Sequence, residues 1–179
     1  GHRALPNSLT GRRIPMSLTR QFRTSRFVSA LSLAVLALVA AGCDQITGLD
    51  GNLGSEQRQL SSARRDWDDV FIRDYEYVVR RDCYCLWSGS AIRVTVRNDF
   101  VVAITRESTG EPISLSNSYV FPTIDGIFSH IQSAIDSRAY RVEASYDSQY
   151  GFPTDVYIDY DRRAADDEEG LTLLAFRRL

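Results

Sequence analysis

Residues 92–105 carry the pattern that most narrows what this chain can fold into. Ile92, Val94 and Val96 alternate with Arg93, Thr95 and Arg97, the period of a strand with one buried face. Asn98-Asp99 follows, a pair that tolerates positive φ and turns the chain sharply, and Phe100 to Thr105 supplies the partner strand. Crossing that two-residue turn pairs Val96 with Val101 and Val94 with Ala103, which keeps the apolar residues on one face. A tight hairpin of this kind commits the chain to an antiparallel sheet.

The rest of the chain supplies elements to cover that face. Leu60, Ala63, Trp67, Val70 and Phe71 recur at helical spacing, so the pattern predicts an amphipathic helix over 57–72. Tyr75 to Leu86, rich in Tyr and Val, reads as a strand. Thr123 is placed to cap a second helix whose Ile124, Ile127, Phe128, Ile131 and Ile135 form one stripe. Three further strands are expected at Tyr140–Tyr146, Asp155–Tyr160 and Leu171–Phe176, with Tyr140 and Tyr146 on the buried face of theirs. The order α-β-β-β-α-β-β-β predicts an α+β domain. It would have an antiparallel sheet of about five to six strands and two helices packed on one face.

The N-terminal third has a different character. Arg20, Arg23 and Arg26 precede an apolar run from Phe27 to Ala41, 15 residues long, which suits a signal peptide and is shorter than the roughly 20 residues of a spanning helix. It ends in Val39-Ala40-Ala41-Gly42-Cys43. Small residues before a cleavage point fit a peptidase, and the cysteine offers a thiol for acylation. The segment resembles the lipobox of bacterial lipoproteins, which implies lipidation of Cys43 and a membrane anchor. Position 40 is alanine where leucine is commonest. The expected organisation is an upstream extension over 1–15, a lipoprotein signal peptide over 16–42 that starts at Met16, a flexible tether over 43–56 that holds Gly48, Gly51 and Gly54, and one domain over 57–179.

Composition excludes several function classes. All 21 basic residues are arginine, so no lysine is present for a Schiff base or a phosphate loop. After residue 42 the chain holds 15 arginines against 23 acids, a poor footprint for nucleic acid. His130 is the sole histidine beyond the signal, lies at the polar edge of the second helix and reads as solvated. A nucleophilic triad would depend on it alone. No cofactor is expected.

Four features stand together once the strands are placed: Tyr75-x-Tyr77, Cys83-x-Cys85, Phe128 in the apolar helix, and Gly151-Phe152-Pro153 leading to Ile158-Asp159. An acidic Asp166-Asp167-Glu168-Glu169 closes the pattern. Together they resemble the bacterial family called domain of unknown function 6174, often found as lipoproteins, over most of residues 60–175. The resemblance implies an exported α+β domain and carries over no catalytic residue.

Cys83 and Cys85 are expected to pair in an oxidising compartment. On a regular strand their Cα atoms would lie about 6.6 Å apart, at the long edge of disulfide geometry, so a kink is required. Two roles stay open: a local staple, or a redox couple helped by the charge of Arg80 and Arg81. Asp159, Asp161, Asp166 and Asp167 offer oxygen ligands without the spacing of a calcium loop and read as a solvated turn. Tyr150, Gly151, Phe152 and Pro153 read as a stiff aromatic turn exposed to a partner. The expectation is a non-enzymatic binding or accessory domain, lipid-anchored at the periplasmic face or the cell surface, with an envelope protein as partner. The alternative is a periplasmic thiol-disulfide protein using Cys83 and Cys85.

Overall fold

The computed structural model describes residues 51–179. The expected signal peptide, Cys43 and the expected tether up to residue 50 lie outside the described residues. Helix α1 (Gly51–Asp69) leads into β1 (Tyr75–Cys83), β2 (Ala91–Arg97) and β3 (Phe100–Arg106). A single 3-10 turn, Leu115–Asn117, precedes helix α2 (Ile124–Asp136), and β4 (Arg141–Tyr146), β5 (Pro153–Asp159) and β6 (Glu169–Arg178) complete the chain. The six strands form one antiparallel sheet in the order β3-β2-β1-β6-β5-β4. This is the α+β class and element order that the periodicities predict. None of the described helices is long and apolar enough to cross a membrane.

The core lies between the inward face of the sheet and the two helices. Ile124, Ile127, Phe128, Ile131 and Ile135 are all buried, and the Thr123 side chain caps α2 by accepting from Gly126 N. Two tyrosines of β1 hold the start of this helix. Tyr75 Oη accepts from Ile124 N at 2.9 Å, and Tyr77 donates its hydroxyl proton to the Pro122 carbonyl. Burial pushes both phenols above their ordinary pKa, so each stays a neutral hydroxyl. The Tyr-x-Tyr spacing thus places two rings on one face of β1 and both beneath α2.

Several details depart from the sequence expectations. Helix α1 begins at Gly51, so residues 51–56 of the expected tether are helical; Glu56 is buried on this first stretch. The helix also ends at Asp69, and Phe71, with φ 50°, is 85% exposed instead of extending the apolar stripe. Asn98 and Asp99 do form the turn with positive φ, and Val96 pairs with Val101. Val94, however, pairs with Ile104, because a bulge leaves Val102 as an extra residue. The bulge turns Val102 outward and delivers Ile104, larger than Ala103, to the core. A bulge in β6 works the same way at Leu174. Leu173 pairs with Val79 and Ala175 with Val78, so Leu171, Leu173 and Phe176 pack inward while Leu174 faces out. Tyr146 packs against Phe128, as expected of a core residue. Tyr140 does not; it precedes β4 and is 54% exposed.

Candidate functional site

The aromatic turn read as a partner surface is part of the core. Gly151, Phe152 and Pro153 are buried and Tyr150 is half-buried. The Phe152 ring stacks on Phe176 at 4.4 Å between centroids and meets Trp67 edge-on at 6.2 Å, while Tyr150 lies over Phe176 at 5.9 Å. Asp147 ties the turn: its carboxylate accepts from Gln149 N and Tyr150 N, and its backbone pairs with Phe152 and Gly151. Gly151 is required twice. Its φ is +80°, and an added Cβ would collide with the Ala63 carbonyl and stand 2.9 Å from Asp66 Cβ. The turn is therefore pressed against α1, with Tyr150 alone left half-exposed.

The acidic residues do not assemble a cation site. Among the described residues no group of three or more His, Cys, Asp or Glu side chains is arranged to hold a metal. Asp167 accepts from Asp161 N and Asp161 from Arg163 N, which folds the loop on itself, and Asp166 takes a positive φ within it. Asp159 is buried, and burial together with Asp167 and Glu168 pushes its carboxyl up.

Cys83 and Cys85 stand at disulfide distance with Cα atoms 5.2 Å apart. The kink that the spacing demanded comes from ending β1 at Cys83, after which Cys85 N donates to the Cys83 carbonyl at 2.8 Å. Neither neighbouring arginine is free to favour a thiolate. Arg80 pairs with Asp82 at 3.4 Å, and Arg81 turns away to Glu169 at 2.7 Å.

That last contact opens the one constellation with chemical character that the sequence reading passed over. Glu169 is the first residue of β6 and its side chain is 18% exposed. Its carboxylate meets Arg81 from β1, His130 Nε2 from α2 at 2.5 Å, and the Tyr160 hydroxyl, which donates at 2.9 Å. Burial alone would raise this carboxyl. The hydrogen bond and charge of His130, with Tyr160 and the Arg81 charge, outweigh burial and hold it at about 2. His130 is thus oriented by a carboxylate and is more than a solvated helix-face residue. Arg81 also donates to the Val120 carbonyl at 3.3 Å, fixing the segment that precedes α2.

Glu169, His130, Arg81 and Val120 line a pocket of about 270 Å³ between α2 and the sheet. Val120, Ile127, Val156 and Leu171 form apolar walls; Arg81, His130 and Glu169 form one polar side; Ser129 and Ser133 lie along α2, and Tyr119, 80% exposed, stands among the lining residues. Gly126 keeps the first turn of α2 close to Pro122, since a Cβ there would meet Pro122 Cβ at 2.5 Å. The two serine hydroxyls donate to the carbonyls of Asp125 and Ser129 in their own helix. One sequence signal pointed here. Counting back by two from Leu171 puts Glu169 on the inward face of its strand, where a carboxylate needs partners.

No curated protein and no solved structure matches this chain. Residues 59–178 match the family described as a family of unknown function, DUF6174, a span that runs from within α1 to the end of β6. The chain belongs to that family.

Proposed function

We propose that this chain is an exported, lipid-anchored, non-enzymatic domain that recognises a protein of the bacterial envelope and seats one of the partner's side chains in the pocket beneath α2. The pocket itself carries the reading. At about 270 Å³ it falls below the roughly 300–1,000 Å³ of sites that enclose whole small molecules, and it suits a single anchoring side chain. Exposed Tyr119 and the Arg81 guanidinium belong to the residue types that dominate such contacts. The polar groups favour recognition over catalysis. A carboxylate held at about 2 is a weak base at neutral pH, and both serine hydroxyls give their protons to helix carbonyls. Anchoring is supported by the apolar run and by Val39-Ala40-Ala41-Gly42-Cys43, and the acidic balance after residue 42 argues against nucleic acid as partner.

The test is capture from the solubilised native envelope with wild-type protein and with Ser133→Trp. Ser133 is exposed on α2, so the larger side chain fills the pocket without entering the core. The expected result is a protein retained by wild type and lost with the variant, at unchanged melting temperature. Equal capture by both chains overturns the pocket reading. Anchoring is tested separately by the intact mass of native protein, which should begin at an acylated Cys43.

Exposure of Cys85 favours a second reading, a thiol-disulfide couple. The pairing of Arg80 and Arg81 with carboxylates removes the charge that would activate it. A very negative reduction potential would leave the pair as a staple.

A further inference from the structure

We propose that the loop closed by Cys83 and Cys85 docks on the bilayer to which the chain is tethered, setting Tyr84 and Leu86 among the lipid headgroups. The proposal rests on the anchoring reading above and is independent of the pocket.

The sheet register places this loop on the tethered end of the domain. Cys83 pairs with Glu169, Glu169 with Ile158, and Ile158 with Val142, a single row across four strands. At its far end, Asn52 in the first turn of α1 donates to the Val142 carbonyl. Three strand spacings separate the ends of that row, about 14 Å. Eight residues lead from Cys43 to Gly51, and at about 3.3–3.6 Å each they reach at most about 29 Å. On the anchoring reading, the chain enters the domain from the tether at this end of the sheet.

The loop has the chemistry for that position. Tyr84 is 88% exposed and Leu86 72%, yet the backbone beneath them is fixed. Cys83 N donates to Ser88 Oγ and Gly89 N to the Arg81 carbonyl, and Trp87 packs edge-on against Phe121 at 5.6 Å. A fixed loop loses little entropy on docking, and a tyrosine ring suits the level where apolar and polar layers meet. Exposed Tyr140, beneath the Arg162 guanidinium, lies at the same end, since Tyr140 N donates to the Tyr160 carbonyl next to the row. Asp161, Asp166, Asp167 and Glu168 also sit there beside Arg162 and Arg163, so acids outnumber arginines in this loop and the surface suits zwitterionic headgroups better than anionic ones. Exposed Phe71 and Phe100 occupy the opposite end, beyond the last residue of α1 and at the far end of the β2–β3 hairpin, about 27 Å of helix from the tether.

The two tryptophans make this testable on the intact acylated chain. Trp67 is buried and out of contact with lipid, whereas Trp87 adjoins Leu86. The protein is reconstituted into vesicles of zwitterionic phosphatidylcholine brominated on its acyl chains, floated, and its tryptophan emission compared with that in unbrominated vesicles. Docking predicts loss of the Trp87 share of emission, no loss in Trp87→Phe, restored emission in the double variant Tyr84→Ser, Leu86→Ser, and an undiminished loss in Phe100→Ser. Circular dichroism confirms that each variant is folded. Protein that fails to float defeats the anchoring reading and this proposal with it. Protein that floats with Trp87 unquenched, or whose quenching responds to Phe100→Ser alone, overturns the docking while leaving the anchor in place.

Discussion

Replacing Glu169 with glutamine should remove a defined part of this protein's acid sensitivity. The carboxyl lies at about 2 in the folded chain against an ordinary 4.5, so the folded state favours the ionised form. A depressed pKa gives stability that is fully present above the unfolded value and is lost as pH falls through the folded one. At about 1.4 kcal/mol per pKa unit, the shift corresponds to about 3 kcal/mol. That figure is a ceiling, because part of it belongs jointly to His130, Tyr160 and Arg81. Glutamine keeps the shape and some of the hydrogen bonds and drops the charge. Urea unfolding of wild type and Glu169→Gln, repeated from roughly pH 6 down to pH 2, reads the difference. Above roughly pH 5 the variant should be less stable by up to about 3 kcal/mol, and the gap should close as the pH approaches 2. Two stability curves that run parallel across that window would show that Glu169 is not held by these partners, and the account of the pocket's polar side would fail.

Other perturbations separate the buried turn from the exposed loop. Phe152→Ala should cost about 3–5 kcal/mol by denaturant titration, because its ring stacks on Phe176 inside the core; a cost under about 1 kcal/mol would return the turn to the surface. Gly151→Ala should cost at least about 2 kcal/mol, combining a left-handed backbone with overpacking against α1, and an unchanged melting temperature would refute the close contact. In exported protein Cys83 and Cys85 should resist alkylation until reduced. Their replacement by serine should cost only about 1–2 kcal/mol, since so short a ring constrains the unfolded chain little.

What could be read in the sequence was whatever repeats locally. The α2 stripe is fixed by five apolar residues at helical spacing with Thr123 ahead of them, and all five are buried. The Asn98-Asp99 turn follows from two residues that tolerate positive φ. Bulges are different. Nothing within β3 itself announces that Val102 will be the extra residue, because the bulge sets Ile104, not Ala103, opposite Val94 in the core. The end of α1 misled for a related reason: Phe71 continues the helical period, but the chain must leave the helix at Asp69 to bring Tyr75 into register with Val96.

The same distinction explains why the packing of the turn at Tyr150 and the partners of the Glu169 carboxylate were not legible in the sequence. Aromatic residues beside glycine and proline look like a presented surface when only the turn is considered. Their fate depends on whether another element passes close enough to cover them, and α1, about ninety residues earlier in the chain, passes so close that Gly151 has no room for a Cβ. Glu169 closes a run of acids, and a run of acids ordinarily marks a solvated loop. What removes Glu169 from that run is the parity of β6, which aims it at the face that Leu171 and Leu173 share. Once there it requires cations and donors, and three separate elements supply Arg81, His130 and Tyr160. Two of those residues had other assignments on sequence grounds, Arg81 to the cysteines and His130 to solvent. Both are recovered by one premise: an inward-facing carboxylate recruits the donors within reach.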